Sequence, residues 1–146
     1  TCALPILDKV CSKWGVISGI KEKVACDLYI KKLSIKTPHI EQIVKNLSGG
    51  NQQKVVLGKA LMTQPQVVFL DEPTRGIDVS AKTDVYHLIG KMAQQGLAVM
   101  FSSSELDEVM ALADRILVMA DGRITADVPR HAVTRETLIA ASTPQD

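Results

Sequence analysis

Residues 47–54 read LSGGNQQK, and this run guides the interpretation of the whole chain. A serine and two glycines at the start of a helix leave backbone N–H groups exposed beside the positive end of the helix dipole. Glycines carry no side chain that would block an approaching ligand. We therefore expect Ser48, Gly49 and Gly50 to hold a phosphate group. The alternative is an ordinary helix N-cap, which also suits Ser48 but leaves the two consecutive glycines unexplained.

A second motif, VVFLDEPT, occupies residues 67–74. Its apolar half is typical of a strand buried on both faces, and ligands gather at the carboxyl ends of parallel strands. Asp71 lies at that end and is the candidate ligand for Mg²⁺, directly or through water. Glu72 beside it is the candidate base for an attacking water molecule. The alternative is that the two acids merely begin a loop before Pro73.

The remaining hydrophobic pattern predicts alternating helices and strands. Helices are predicted near residues 4–10, 24–33, 52–62, 79–95, 104–113 and 134–141, and strands at 67–70 and 97–101, followed by a hairpin of strands 116–119 and 124–128 around an Asp-Gly turn. Strand–helix–strand–helix followed by a hairpin indicates an α/β layer architecture with a parallel central sheet.

One motif that this chemistry needs is missing from the 146 residues. A loop of the form G-x-x-x-x-G-K-[ST] wraps the phosphates of a nucleotide in sites of this kind. The pair Gly58-Lys59 is followed by Ala60, and a second Gly-Lys pair at 90–91 is followed by methionine. Neither pair has the first glycine. We therefore expect the chain to be only part of a larger domain.

Composition excludes several other classes of protein. The net charge of +1 gives no reason to expect a nucleic-acid partner. Three cysteines without C-x-x-C spacing indicate neither a zinc site nor a disulfide framework. The sequence has no signal peptide and no apolar run near 18 residues, so we expect a chain that is neither exported nor membrane-spanning. Any association with a membrane would come through a partner.

A third stretch, RGID, occupies residues 75–78. In this order, residues 47–54, 67–74 and 75–78 resemble the signature, Walker B and D-loop motifs of an ABC-type ATPase. The variant with LSGGNQQK, DEPTRGIDV and a Ser-Ser-Glu-Leu run is similar to the second nucleotide-binding half of bacterial ATPases that import ribose, xylose, galactose, arabinose or autoinducer-2. In this family the phosphate loop lies well upstream of the signature. The resemblance therefore implies the C-terminal part of a nucleotide-binding domain, with a partial P-loop NTPase fold without Walker A. Residues 1–64 would be part of the helical subdomain, ending in the signature helix, and residues 65–146 part of the RecA-like core.

The resemblance also implies a role for individual residues. Two nucleotide-binding halves close head-to-tail on ATP, so the signature of one covers the nucleotide held by the other. Cofactor-binding residues are expected accordingly at Ser48, Gly49, Gly50, Asn51, Gln52 and Asp78. Asp71 and Glu72 would act on the nucleotide of their own half.

Two of the implied roles have a structural alternative. Asp78 is equally suited to cap the helix that begins at Val79. Ser104 falls at the position of the switch histidine and is a candidate catalytic residue. Structural capping is at least as good an interpretation of Ser104, which forms a capping-box pattern with Asp107.

The implied partners are a second nucleotide-binding half, transmembrane permease subunits and, indirectly, a sugar-binding protein. Such a protein is cytoplasmic and lies on the inner face of the bacterial cell membrane through the permease. ATP and Mg²⁺ are the implied cofactors. Two alternatives stay open at this point: a non-catalytic fragment that acts at most as an interaction module, and a soluble ABC ATPase without a transport role.

Overall fold

A computed structural model describes residues 10–11 and 16–143 of the chain. Apart from Val10, the helix predicted near residues 4–10 lies outside the described residues. The chain divides into two compact units, Thr1–Phe101 and Ser102–Asp146. The described helices and strands, in chain order, are α1 (Gly19–Lys32), a 3-10 helix (Val44–Asn46), α2 (Gly49–Met62), β1 (Val67–Asp71), α3 (Val79–Gln94), β2 (Ala98–Ser102), α4 (Leu106–Leu112), β3 (Arg115–Ala120), β4 (Arg123–Pro129), a second 3-10 helix (Arg130–Ala132) and α5 (Arg135–Ser142).

Helices α2 and α3 pack together and form the body of the first unit. The buried residues of α3 follow the i, i+3, i+4, i+7 pattern of an amphipathic helix, as predicted: Val85, Leu88, Ile89 and Met92. The buried stripe of α2 is Gly50, Lys54, Leu57, Gly58 and Leu61. Val56, an apolar residue of the same helix, lies off that stripe and is exposed.

Strands β1 and β2 form a two-stranded sheet, which is parallel as predicted. The expectation that β1 is buried on both faces was wrong. Val68 is buried, whereas Phe69 is 74% exposed. Successive side chains of a strand point to opposite faces, and in the described part of the chain only one face is covered.

Helix α1 forms in the predicted region, but none of its residues is buried. Val24 and Leu28 are exposed, and Leu33, just beyond the helix, is buried. The Tyr29 hydroxyl donates a 3.0 Å hydrogen bond to the Leu61 carbonyl and so joins α1 to the end of α2. Among the described residues, no helix combines the length and hydropathy needed to cross a membrane.

The second unit is built on the predicted hairpin of β3 and β4, which pair antiparallel. Asp121 and Gly122 have φ of +48° and +73°, the left-handed pair that a type I′ turn requires. Helix α5 packs on β3 and buries Leu138. Its N-cap, Thr134, forms a capping box with Thr137. The predicted hairpin and terminal helix are therefore confirmed.

Candidate signature and D-loop site

The LSGG turn opens α2, and its tip is accessible to solvent. Ser48 is the N-cap residue, with extended backbone angles, and both Ser48 and Gly49 are exposed. The Ser48 side chain makes no capping hydrogen bond to the helix. The N-cap interpretation therefore accounts for the backbone of Ser48 but not for its hydroxyl group.

The side chains that follow the two glycines bind to neighbouring parts of the same unit. Asn51 Nδ2 donates a 2.8 Å hydrogen bond to Ser48 Oγ. The backbone N–H of Lys36 donates a 2.8 Å hydrogen bond to Asn51 Oδ1. Gln52 Nε2 donates to the Leu47 carbonyl at 2.7 Å. Asn51 and Gln52 were predicted as nucleotide ligands; in this structure their amide groups support the turn, and direct contact with a nucleotide stays a prediction.

Packing inside the unit leaves little room for a side chain at either glycine, and least at Gly50. A Cβ atom at Gly50 would lie 2.5 Å from the Cβ of Ala81, and one at Gly49 would lie 3.1 Å from Cγ2 of Ile77. Separations under 3.0 Å are essentially never seen for Cβ atoms. The start of α2 therefore packs closely against the D-loop and the first turn of α3. Sequence reasoning offered only ligand access as a reason for these glycines.

Asp78 caps α3, as one of its two interpretations predicted. Its Oδ1 accepts hydrogen bonds from the Ala81 N–H at 2.9 Å and from the Ser80 hydroxyl at 2.6 Å. These hydrogen bonds, the one from Ser80 first, lower the pKa of the Asp78 carboxyl below its usual value. Contact between Asp78 and a nucleotide stays a prediction.

Two further contacts of α2 were not anticipated from the sequence. Lys54 Nζ lies 2.7 Å from Asp84 Oδ2 on α3, and the Lys54 side chain is only 8% exposed while that of Asp84 is 58% exposed. The hydrogen bond and the charge of Lys54 lower the pKa of Asp84. Gln53 Nε2 donates a 2.8 Å hydrogen bond to the Pro73 carbonyl. The sequence offered one signal for the ion pair: Lys54 lies four residues after Gly50 and therefore on the same face of the helix.

A pocket of about 140 Å³ lies where these groups meet. Four of the predicted nucleotide-contacting residues line it: Ser48, Gly50, Asn51 and Asp78. The other lining residues include Lys36 and the Lys54–Asp84 ion pair. Asp71 and Glu72 are not among them. The fold thus brings the signature and the D-loop together on one surface and leaves the two acids of the Walker B strand outside it.

Asp71 is the last residue of β1 and is exposed. Glu72 follows in the left-handed region, with φ of +45°, and its carbonyl accepts a hydrogen bond from the Arg75 N–H at 3.1 Å. Glu72 therefore begins a turn, as the structural alternative proposed for both acids, whereas Asp71 still belongs to the strand. A non-glycine residue held at positive φ is uncommon and is often found at functional sites. An exposed carboxylate at a strand end fits Mg²⁺, which takes one or two carboxylates and keeps several waters.

The capping box predicted for Ser104 and Asp107 is wrong. Helix α4 begins at Leu106, with Glu105 as the N-cap residue. Asp107 instead pairs with Arg135. Ser103, one residue earlier, fixes this turn, because its hydroxyl accepts from the Glu105 N–H at 3.1 Å and donates to the Glu108 carboxylate. Ser104 is exposed in the second unit, and its catalytic role stays a prediction.

Known proteins resemble this chain in sequence and in fold. A protein-family profile described as ABC transporter matches residues 7–75. The chain is 55% identical over 117 residues to a xylose import ATP-binding protein of Moorella thermoacetica, covering 80% of this chain and 23% of that protein. It is 46% identical over 133 residues to a ribose import ATP-binding protein of Clostridium perfringens, covering 91% of this chain and 26% of that protein.

Solved structures show the same fold. One is an ATP-binding cassette of an ABC transporter in its ADP conformation, with a TM-score of 0.71, 24% identity and coverage of 89% of this chain and 52% of that one. Another is a dimeric bacterial ABC transporter cassette, with a TM-score of 0.72, 22% identity and coverage of 88% and 54%.

The chain therefore spans about a quarter of the length of these sequence relatives and about half of the similar cassettes. Its motifs, its partial α/β fold with a parallel sheet and its sequence relatives all agree with the predicted family and fold class. The chain is part of an ATPase domain of the ABC transporter family.

Proposed function

We propose that this chain is a portion of the ATP-binding and ATP-hydrolysing component of a monosaccharide importer. The observation that carries the proposal is the pocket at the exposed start of α2, where Ser48, Gly50, Asn51 and Asp78 meet. The names of the sequence relatives, which are import ATP-binding proteins for xylose and ribose, support transport over a non-transport ATPase.

The pocket is suited to the terminal phosphate of ATP and not to the whole nucleotide. Ligand sites for molecules of that size usually have about 300–1,000 Å³, whereas this pocket has about 140 Å³. A phosphate group there would meet the Ser48 hydroxyl and the N–H groups at the positive end of the α2 dipole. We infer that the rest of the nucleotide is held by the phosphate loop of a second nucleotide-binding half.

Asp71 and Glu72 would act on a different nucleotide, since they lie outside the pocket. Bound Mg²⁺ would neutralise charge on the phosphates. Asp71 would hold the ion through its exposed carboxylate. Glu72 would orient the attacking water and accept its proton. Ser104 would occupy the switch position in the second unit.

The partners that this role requires are a second nucleotide-binding half, a transmembrane permease and, indirectly, a sugar-binding protein. The dimeric cassette among the similar structures supports pairing with a second half. The component would lie on the cytoplasmic side of the cell membrane and be held there by the permease. The net charge of +1 gives no support for a nucleic-acid partner.

A chimera tests the proposal: this chain replaces the matching segment of the Moorella thermoacetica xylose import ATP-binding protein. The expected result is MgATP turnover by the chimera and a loss of roughly 10²–10⁴-fold on Glu72→Gln, because general-base help is removed. The matched control is Glu41→Gln, an exposed acid elsewhere in the same unit. No turnover, or a Glu72→Gln variant as active as the control, would contradict the proposal.

A further inference from the structure

Asn51 occupies an unusual position in the signature turn, because both ends of its amide group bind to the chain. Its Oδ1 accepts from the Lys36 N–H and its Nδ2 donates to Ser48 Oγ, each at 2.8 Å. The contact with Lys36 joins the start of α2 to a segment 15 residues earlier. The side chain is half-buried, whereas Ser48 beside it is exposed.

The backbone of Lys36 decides which way the amide group faces. A backbone N–H only donates, so the atom of Asn51 nearest to it must be the carbonyl oxygen. The NH₂ group is then the end that faces Ser48. It only donates as well, so the Ser48 oxygen must accept.

This assignment has a consequence for the Ser48 hydroxyl. A serine hydroxyl has one O–H donor and two lone pairs, and Asn51 uses a lone pair. Within residues 10–11 and 16–143, the Ser48 O–H donates to no other group, and the side chain does not cap the helix. Its proton is therefore available for an acceptor that enters the pocket, such as a phosphate oxygen.

We infer that Asn51 is a positioning residue, which keeps the Ser48 hydroxyl as a donor toward the terminal phosphate of ATP. The inference rests on the proposed function, since it assigns a role within the same site. It replaces the expectation that the Asn51 side chain is itself a ligand of the nucleotide. Asn51 acts through Ser48 and does not need to touch the phosphate.

Asn51→Asp is the variant that separates this role from simple support of the turn. The carboxylate keeps the size of the amide and still accepts from the Lys36 N–H. It has no hydrogen to donate to Ser48, so the Ser48 hydroxyl turns and donates to the carboxylate instead. We expect kcat/KM for ATP in the chimera to fall by about 10- to 100-fold, the usual worth of a hydrogen bond to a charged group.

Two controls make the result specific. Asn46→Asp places the same charge change on an exposed residue of the preceding 3-10 helix, and we expect a change of no more than about twofold. In a Ser48→Ala background, Asn51→Asp should lower kcat/KM clearly less than it does with Ser48 present. The hydroxyl through which it acts is gone, and only repulsion between the new carboxylate and the phosphate remains. A fall of equal size in both backgrounds would show a structural role and overturn the inference.

The hydrogen bond itself is tested on the full chain by NMR, where the Asn51 side-chain NH₂ protons should exchange with water more slowly than those of Asn46. Equal exchange rates would overturn the inference whatever the ATPase result. An unmutated chimera without turnover would overturn the proposed function, and the positioning role with it. An active chimera in which Asn51→Asp has no effect would overturn the positioning role alone.

Discussion

Gly50 shows how much a single residue of the signature turn contributes to the fold. Adding a methyl group there would place it 2.5 Å from the Cβ of Ala81, so α2 and α3 would have to move apart. We expect Gly50→Ala to lower the free energy of unfolding by about 1–3 kcal/mol, the usual effect of overpacking. Urea denaturation of the full chain measures it.

Gly90→Ala is the matched control for that prediction. Gly90 lies inside α3, and nothing lies within 4 Å of a Cβ added there. Because alanine is the better helix former, this variant should be stabilised by up to about 1 kcal/mol. Equal effects of the two substitutions would show that the contact between Gly50 and Ala81 does not restrict the packing.

The sequence predicted some of the residues that meet at the pocket, but only part of the reason. Six residues were assigned to nucleotide binding from the family resemblance, and four of them line the pocket: Ser48, Gly50, Asn51 and Asp78. The contacts that hold them there involve Lys36, far away along the chain, and Ala81. Such contacts follow from tertiary packing, which no local pattern in the sequence encodes.

Among the elements, α2 and α3 are joined by the ion pair of Lys54 and Asp84. Lys54 is nearly buried, so removing its partner's charge leaves an ammonium group poorly compensated. Because Asp84 is largely exposed, solvent reduces the effect, and we expect Asp84→Asn to lower the free energy of unfolding by about 1 kcal/mol.

The control is Asp107→Asn, whose partner Arg135 is exposed. This substitution should lower the free energy of unfolding by less than about 0.5 kcal/mol. Equal losses would contradict a special role for the buried lysine.

The same ion pair predicts a dependence of stability on pH. The pKa of Asp84 is lowered in the folded chain, so the folded state binds fewer protons than the unfolded state. The ion pair therefore contributes fully to the free energy of unfolding above the unfolded pKa of about 3.9. It is lost as the pH falls through the folded pKa. The difference in unfolding free energy between the unmutated chain and Asp84→Asn should be constant above about pH 5 and shrink below about pH 4. A difference that is as large at pH 3 as above pH 5 would contradict the attribution of this pH dependence to Asp84.

Elements governed by local rules were predicted well, and those governed by tertiary contacts were not. The hairpin follows from Asp121-Gly122, which sets the turn without help from the rest of the chain. The predicted start of α4 was wrong by two residues: the helix begins at Leu106, after a turn in which Ser103 binds the buried Glu108. The burial of that glutamate cannot be predicted from a pattern that places acids on the solvent side.

The size of the pocket limits what the site at the start of α2 can bind by itself. A pocket of about 140 Å³ accommodates a phosphate group but not a nucleoside. We expect isothermal titration of MgATP into the full chain to show a Kd weaker than about 1 mM. Micromolar binding would mean that the chain holds a nucleotide without a partner's phosphate loop, contrary to the proposed division of the site.

Fold class and family were predictable from three motifs because their order is specific to one superfamily. The exposed face of β1, which includes Phe69, was not predictable, because burial depends on what covers the strand and not on its composition. The sequence relatives leave the identity of the sugar open, since their names include both xylose and ribose. The proposal of two nucleotide sites rests on placement: the signature residues line the pocket, whereas Asp71 and Glu72 do not.

Photocleavage with MgADP and vanadate, in the chimera, tests the central claim most directly. Vanadate occupies the position of the terminal phosphate, and irradiation cuts the peptide chain beside it. If the signature turn covers a nucleotide held by a partner half, mass spectrometry of the fragments should find a cut at Ser48. Cuts confined to segments outside this chain would contradict the account.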